Sequence, residues 1–269
     1  MTDDTPQRAG FVALIGEPNA GKSTLLNRMV GAKVSIVTHK VQTTRARIRG
    51  VAIEGNSQIV FVDTPVLFQP KRRLDRAMVA AAWGGVSDAD VVVLMIEAHR
   101  GITKGVEAIL ERLADVAKGR TVALAINKID RVEAPVLLGL TQEMNERFAF
   151  EETFLISAEK GHGAKVLRNW LAERMPVEPW LYPEDQIADL PMRMIAAEMT
   201  REKLTLRLHQ ELPYQLTVET ENWEERKDGS CKVDQIVYVQ RDGHKGIVLG
   251  NHGETIKSVG KASREELVE

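Results

Sequence analysis

One short stretch has the residue types and the spacing that are needed to hold a phosphate group. It fits the pattern G-x-x-x-x-G-K-[ST] and consists of Gly16, Glu17, Pro18, Asn19, Ala20, Gly21, Lys22 and Ser23, followed by Thr24. Glycines let a backbone wrap closely around phosphate oxygens, and N–H groups at a helix N-terminus supply partial positive charge. Lys22 can reach the β- and γ-phosphates of a nucleotide, and the Ser23 hydroxyl is a hard oxygen ligand for Mg²⁺. Residues 16–24 are therefore predicted to form a phosphate loop.

A second group of polar residues predicts which base is bound. Asn127, Lys128 and Asp130 fit the pattern N-K-x-D. The Asp130 carboxylate can accept two hydrogen bonds from guanine, whereas adenine would leave a buried carboxylate unpaired. Lys128 can lay its stem along the base, and Asn127 can tie this segment to the phosphate loop. Ser157 and Ala158 are predicted to offer a backbone N–H to the guanine carbonyl.

The metal-binding and switching residues are predicted to lie between these two groups. Asp63 follows an apolar run and matches the Mg²⁺-side aspartate of phosphate-loop enzymes. A threonine near residue 44 can close onto Mg²⁺ when a γ-phosphate is present, and we favour Thr44 over Thr43. Lys22, Thr44 and Asp63 are the predicted catalytic residues. The alternative is that the two threonines only begin the next strand.

The pattern of apolar runs predicts the elements that must position these residues. Strands are expected at 11–15, 47–54, 58–62, 91–96, 121–126 and 153–156, and helices at 22–29, 73–83, 104–117, 134–147 and 164–174. Strands that alternate with helices predict an α/β domain with a mostly parallel six-stranded sheet and helices on both faces. Ligands of such sheets bind beyond the carboxyl ends of the strands.

The composition changes after residue 175. Four prolines occur between residues 176 and 191, which predicts a linker between a first domain at 1–175 and a smaller α+β domain at 192–269. The second domain is expected to have a helix at 192–210, strands at 214–219 and 233–241, a hairpin loop at 224–232, a glycine-rich turn at 246–253 and a helix at 254–258. The single cysteine, Cys231, excludes a disulfide framework, and we expect a cytoplasmic protein.

The combined motifs resemble the Era family of bacterial GTPases. The resemblance is carried by GEPNAGKST, QTTRAR, VDTPVLFQPKRRLDRAMV, NKID and ISAEKG, which have the family's spacing. It implies a monomeric phosphate-loop GTPase that uses GTP, GDP and Mg²⁺, followed by a type II KH domain. It also implies binding to the 3′ end of small-subunit ribosomal RNA in the pre-30S particle, and no DNA partner. A peripheral association with the cytoplasmic face of the inner membrane is left open.

The RNA-binding loop is expected at the glycine-rich turn of the second domain. A G-x-x-G turn clamps about four nucleotides of a single strand. The resemblance places RNA-binding residues at Gly246, Gly250, Asn251, His252, Gly253 and Lys257. The family commonly has a lysine where this chain has Asn251 and His252, and a family KH domain continues beyond Glu269, so this KH domain is expected to be C-terminally incomplete. By itself, G-x-x-G could also be a simple turn.

Val66 departs from the family motif D-T-P-G. Valine keeps the backbone N–H but loses the conformational freedom of glycine, so we expect nucleotide binding to survive and hydrolysis to be impaired. Leu67 cannot orient a water molecule, which leaves the backbone, a distant residue or K⁺ near Asn19 for that role. The leading interpretation is a slow GTPase switch that acts in small-subunit assembly. The alternatives are an RNA-binding factor with a structural nucleotide, or another GTPase whose C-terminal domain binds protein or a membrane surface.

Overall fold

The structure is a computed structural model that describes residues 6–35, 37, 48–63, 83–184, 186, 192–208, 215–226 and 228–268. The chain divides into two compact units. One comprises Met1–Ser35 and Thr44–Asp189, and the other comprises Ile36–Thr43 and Leu190–Glu269. Thr44, Val66 and Leu67 lie outside the described residues, as does the predicted helix at 73–83 apart from Trp83.

A six-stranded sheet forms the centre of the first unit. Its strands are β1 (Arg8–Gly16), β2 (Ile48–Glu54), β3 (Ser57–Asp63), β4 (Val91–Glu97), β5 (Thr121–Asn127) and β6 (Glu152–Leu155). They lie in the order β2-β3-β1-β4-β5-β6, and only β2 is antiparallel to its neighbour. Gly55 and Asn56 join β2 to β3 in a two-residue turn, which forces that pair to be antiparallel. The predicted mostly parallel α/β sheet is confirmed.

Five helices accompany the sheet in the described part of the first unit. They are α1 (Lys22–Val30), the described part of α2 (residues 83–88), α3 (Lys104–Val116), α4 (Ala134–Arg147) and α5 (Ala164–Arg174). All seven residues of β4 are buried, as expected for a central strand that is covered on both faces. Helices α3 and α4 contribute Leu113 and Met144, which are fully buried, to the core beside it.

The carboxyl ends of the parallel strands meet at one edge of the sheet. Gly16 pairs with Met95, Asp63 pairs with Leu14, and Glu97 pairs with Asn127. Parallel strands that are in register must end side by side, so residues far apart in sequence become neighbours at this edge. This is the edge where ligands of open α/β sheets bind.

The first unit extends beyond the boundary that was predicted at residue 175. The fully buried Gln58 side chain donates to the Tyr182 carbonyl (2.8 Å) and accepts from the N–H groups of Leu181 (2.8 Å) and Tyr182 (3.0 Å). The Trp180 indole donates to the Asn56 carbonyl (3.1 Å). The proline-rich segment is therefore attached to the β2–β3 hairpin at least as far as Tyr182.

The second unit contains a two-stranded sheet and three helices among its described residues. They are α6 (Met192–Arg207), β7 (Leu216–Glu225), β8 (Cys231–Val239), α7 (Asp242–Leu249) and α8 (Glu254–Val268). Strands β7 and β8 form the predicted antiparallel hairpin, but its loop is shorter than the predicted 224–232, since β7 continues to Glu225 and β8 begins at Cys231. Leu204, Val248 and Val259, one from each helix, lie in the core of this unit.

The predicted turn at 246–253 is wrong in its first half. Residues 246–249 belong to α7, and the turn is confined to a single 3₁₀ turn at Asn251–Gly253. Gly246 therefore lies in a helix. Burial of Val248 stabilises α7 although glycine is a poor helix former. None of the described helices has the length and apolar character needed to cross a bilayer.

Gly50 is predicted to be essential for the packing of β2 against α1. A Cβ at this position would lie 2.7 Å from Val30 Cγ2 and 2.8 Å from Leu26 Cδ1. We expect Gly50→Ala to destabilise the first unit by about 1–3 kcal/mol through overpacking. Urea unfolding followed by circular dichroism measures this change. Gly139→Ala in α4 is the matched control, since its Cβ meets no atom within 4 Å; it should stabilise the protein by about 0.5–1 kcal/mol. Equal effects of the two substitutions would contradict the packing argument.

Candidate functional site

The predicted phosphate loop lies between the end of β1 and the start of α1. Asn19 (φ 65°) and Gly21 (φ 97°) both have left-handed backbone conformations, which curl the chain over the N-terminus of the helix. Gly21 cannot be replaced without strain, because a Cβ there would collide with the Asn127 side-chain amide nitrogen. The loop therefore has the curled shape that exposes successive backbone N–H groups to an anion.

Lys22 lies inside this loop. Its ammonium group donates hydrogen bonds to the carbonyls of Gly16 and Glu17, each at 3.0 Å, and its side chain is buried. The two bonds hold the charge at the centre of the loop. Ser23 and Thr24 follow in the first turn of α1, where the helix dipole favours anions.

Asn127 joins three segments that are distant in sequence. It ends β5 and is 2% exposed. Its side-chain N–H donates to the Ala20 carbonyl in the phosphate loop (2.8 Å), and its side-chain oxygen accepts from the Ala158 N–H (2.9 Å). The predicted tie between Asn127 and the phosphate loop is confirmed.

Asp130 is held by residues that come from a later loop. It lies in a 3₁₀ turn at Ile129–Arg131, and its carboxylate is 3.4 Å from the Lys160 ammonium. The hydrogen bond from the Ser157 hydroxyl, with smaller contributions from its own backbone and Lys160, holds the pKa of Asp130 below its ordinary value. The carboxylate is therefore charged at neutral pH and ready to accept hydrogen bonds.

The Ser157 and Ala158 backbone N–H groups donate hydrogen bonds within the protein. The Ser157 N–H donates to the His162 carbonyl (3.0 Å), and the Ala158 N–H donates to Asn127. Both groups thus have acceptors inside the protein, and the Asn127 amide between the two loops supplies the one for Ala158. A direct bond from this pair to a guanine carbonyl stays a prediction.

Sequence reasoning missed three residues around the site. Arg28 donates from α1 to the carbonyls of Ala158 (3.2 Å) and Glu159 (2.5 Å). Lys160 reaches Asp130, and the Glu97 carboxylate at the end of β4 accepts a hydrogen bond from the Lys128 ammonium (2.5 Å). Only Glu97 has a signal in the sequence: it is a charged residue directly after a fully apolar strand, at the edge where the site lies.

The candidate RNA-binding loop has its own constrained backbone. Gly250 (φ 73°), His252 (φ 48°) and Gly253 (φ 78°) are all left-handed. A Cβ at Gly250 would lie 2.7 Å from Thr255 Cβ, so glycine is required at the point where the loop passes α8. The Asn251 and His252 side chains are exposed, and Lys257 is exposed on α8. The loop therefore presents its two variable side chains outward.

An apolar surface lies directly before this loop. Ile247 and Leu249 belong to the eight-residue helix α7, and their side chains are 57% and 41% exposed. Val248 between them faces the core. Exposed aliphatic side chains beside a glycine turn are a surface on which bases could pack.

Two of the family models that match the chain follow the order of its two units. The model described as 50S ribosome-binding GTPase matches residues 11–128, and the KH domain model matches residues 211–269. The fold and the sites thus define a phosphate-loop GTPase domain followed by a KH domain.

Similar proteins narrow this class. GTPase Era of Dinoroseobacter shibae is 74% identical over 271 residues, which cover 100% of this chain and 88% of that protein. GTPase Era of Brucella suis is 60% identical over 268 residues, which cover 100% of this chain and 86% of that protein. The chain belongs to the Era family of GTPases.

Two solved structures have the same fold as the whole chain. A crystal structure of Era in complex with MgGDPNP and nucleotides 1506–1542 of 16S ribosomal RNA has a TM-score of 0.90 at 36% identity, and covers 97% of this chain and 88% of that chain. A crystal structure of a variant of Aquifex aeolicus Era bound to GDP·AlF4⁻ has a TM-score of 0.91 at 35% identity, and covers 97% of this chain and 89% of that chain.

Ser157→Ala is predicted to raise the pKa of Asp130. The serine hydroxyl is the largest cause of the depressed pKa, so its removal should return the pKa toward the ordinary 3.8, and Lys160→Met should have a smaller effect. Because folding lowers the pKa of Asp130, the charged carboxylate stabilises the folded state. This contribution is present above the unfolded pKa and is lost as the pH falls through the folded pKa. NMR titration of the Asp130 carboxyl carbon measures the shift. A larger shift from Lys160→Met than from Ser157→Ala would contradict the assignment.

Proposed function

We propose that the protein is a slow GTP-hydrolysing switch that binds the 3′ end of small-subunit ribosomal RNA and assists assembly of the small ribosomal subunit. The proposal rests on the two hydrogen bonds of the Asn127 side chain, which join the phosphate loop to the loops around Asp130. A phosphate-binding loop and a guanine-recognition loop are thereby combined in one site. We further propose that the protein acts as a monomer in the cytoplasm, on the pre-30S particle.

The nucleotide is proposed to lie along the carboxyl edge of the sheet. Residues 16–24 wrap the phosphates of GTP or GDP with backbone N–H groups, and Lys22 contacts the β- and γ-phosphates. Asp130 accepts from the guanine ring N–H and amino group, and Lys128 covers the base. The charged state of Asp130 supports this role, since a protonated carboxyl would accept fewer hydrogen bonds.

Mg²⁺ is proposed to be held by Ser23, Thr44 and Asp63. Hydroxyl and carboxylate oxygens are the hard ligands that this ion prefers. The fit is supported by the backbone, because Ser23 lies in the first turn of α1 and Asp63 ends the strand beside β1. The similar Era structure with RNA contains MgGDPNP. When bound, the ion neutralises charge on the β- and γ-phosphate oxygens.

Slow hydrolysis is proposed because position 67 does not carry a residue of the usual type to orient water. Leu67 stands where Ras-like enzymes have a glutamine, and Val66 has less backbone freedom than the glycine of the family motif. K⁺ near Asn19 is retained as one way to assist the reaction. Val66 also supports the second candidate, an RNA-binding assembly factor in which the nucleotide is structural.

Val66→Gly is predicted to accelerate hydrolysis without changing nucleotide affinity. Glycine restores the backbone freedom of the family motif D-T-P-G at this position, and a barrier lower by about 1.4 kcal/mol corresponds to about tenfold in rate. Single-turnover phosphate release from bound GTP measures the change. Val177→Gly is the matched control, because Val177 is 57% exposed in the segment after α5. Equal rates for the unaltered protein and Val66→Gly would refute the proposed impairment.

RNA binding is proposed at the loop of residues 250–253 and the exposed side chains of Ile247 and Leu249. The left-handed glycines let the sugar-phosphate backbone approach closely, while the aliphatic surface of α7 receives bases. The similar Era structure contains nucleotides of 16S ribosomal RNA. Lys257 on α8 is proposed as a phosphate contact.

The double variant Asn251→Asp/His252→Asp is predicted to weaken RNA binding by at least about tenfold. Two carboxylates would face the phosphates, while the glycines that shape the loop are kept. Filter binding to a short single-stranded RNA with the sequence of the 16S 3′ end measures the affinity. Asn145→Asp is the control for the Asn251→Asp change, since it places one carboxylate at an exposed position of α4. Unchanged affinity in the double variant would place RNA binding elsewhere.

The same assay separates the candidate functions. Affinity that differs between the GTP-analogue and GDP states supports the switch. Affinity that is independent of nucleotide supports the factor with a structural nucleotide. Absence of RNA affinity supports a GTPase whose C-terminal unit binds protein or a membrane surface.

A further inference from the structure

Lys128 is constrained at both ends of its side chain. Its backbone has a left-handed conformation (φ 63°), which is unusual for a residue other than glycine. Its ammonium group donates to the Glu97 carboxylate at 2.5 Å, and the lysine side chain is 22% exposed. A free lysine samples many rotamers, and ordering it on binding costs conformational entropy. Here that ordering is already present within the protein.

Glu97 is an anchor with unusually low exposure for a charged residue. Its side chain is only 6% exposed, and it ends β4 directly beside Asn127 of β5. The Ala98 N–H donates to the Asn127 carbonyl (2.8 Å), which fixes the backbone at this point. A carboxylate this deeply buried is costly unless it is paired, and Lys128 is its shortest ionic contact.

The same carboxylate is connected to the phosphate loop. Arg100 lies 3.3 Å from a Glu97 carboxylate oxygen and 3.9 Å from a Glu17 carboxylate oxygen. Thr103 donates to the same Glu17 oxygen at 2.8 Å and caps α3 by accepting from the Val106 N–H. Glu97 is thus held in place by Arg100, which lies in the segment before α3, as well as by the strand edge. His99 lies 3.6 Å from it and completes the set of neighbouring basic groups among the described residues.

We propose that Glu97 is a positioning residue for base binding, which acts by fixing the Lys128 stem as a preformed wall for the guanine ring. The inference rests on the proposed binding of guanine nucleotides. Because Lys128 covers the base rather than the γ-phosphate, loss of Glu97 weakens GTP and GDP equally. Preorganisation lowers the cost of binding, so the loss appears mainly as faster dissociation.

A double-mutant cycle tests this role. Glu97→Gln keeps the shape of the side chain and removes its charge, and Lys128→Met keeps the stem and removes the ammonium. We expect each single change to weaken GDP binding by about tenfold. The double variant should bind GDP as well as the single variant of lower affinity, because the effects of two substitutions that remove the same contact do not add. Calorimetry with GDP and a non-hydrolysable GTP analogue measures the affinities, and stopped-flow displacement measures dissociation.

Two further variants keep the test decisive. Glu143→Gln is the control, because Glu143 forms a comparable ion pair with Arg147 (2.8 Å) but is 52% exposed on α4; it should leave affinity unchanged. Glu97→Asp retains the buried charge but draws it back by one methylene, and should reproduce the loss if Glu97→Gln does not fold. Absence of GDP binding by the unaltered protein would overturn the proposed function. Additive losses, or unequal losses for GTP and GDP, would overturn only the role of Glu97.

Discussion

The nucleotide site depends on one buried carboxamide. Asn127 bonds to the Ala20 carbonyl with its nitrogen and to the Ala158 N–H with its oxygen, so that a single planar group sets the separation of two loops. The contact is possible only because Gly21 has no Cβ. Loss of the amide would leave two backbone groups without this partner in a site where water is largely excluded, which typically costs about 1–3 kcal/mol for each buried group. The phosphate-binding loop and the base-recognition loop are therefore held in one fixed arrangement.

The two candidate sites are built by different means. The nucleotide site is held by side chains that reach across the sheet edge, such as Arg28 to the 158–159 loop and Lys128 to Glu97. The loop of residues 250–253 is shaped by backbone conformation, with three left-handed residues in four positions. A site of the first kind holds charges at fixed positions, whereas one of the second kind offers a shape that a flexible polymer can follow. This difference agrees with a small rigid ligand at one site and a single-stranded nucleic acid at the other.

The parts of the structure that local patterns control could be predicted from the sequence. The strand–loop–helix around Gly21, the six strands and the tie through Asn127 all follow from motif and spacing. The partners of the site could not be predicted, because Arg28 and Ala158 are 130 positions apart and only the folded sheet edge brings them together. Helix α7 was missed for a related reason. Its glycines argue for a turn, and the burial of Val248 against the rest of its unit outweighs that preference.

Gln58 has a consequence for where the GTPase unit can be cut. All three of its hydrogen bonds described above go to residues 181 and 182, and the side chain is fully buried. A fragment that stopped at Met175 would keep every described strand and helix of the sheet layer, yet the buried Gln58 side chain would lose these three hydrogen bonds. The smallest autonomous piece must therefore carry the stretch through Tyr182. Limited digestion of the intact chain should for the same reason spare the peptide bonds around Leu181 in spite of their irregular conformation.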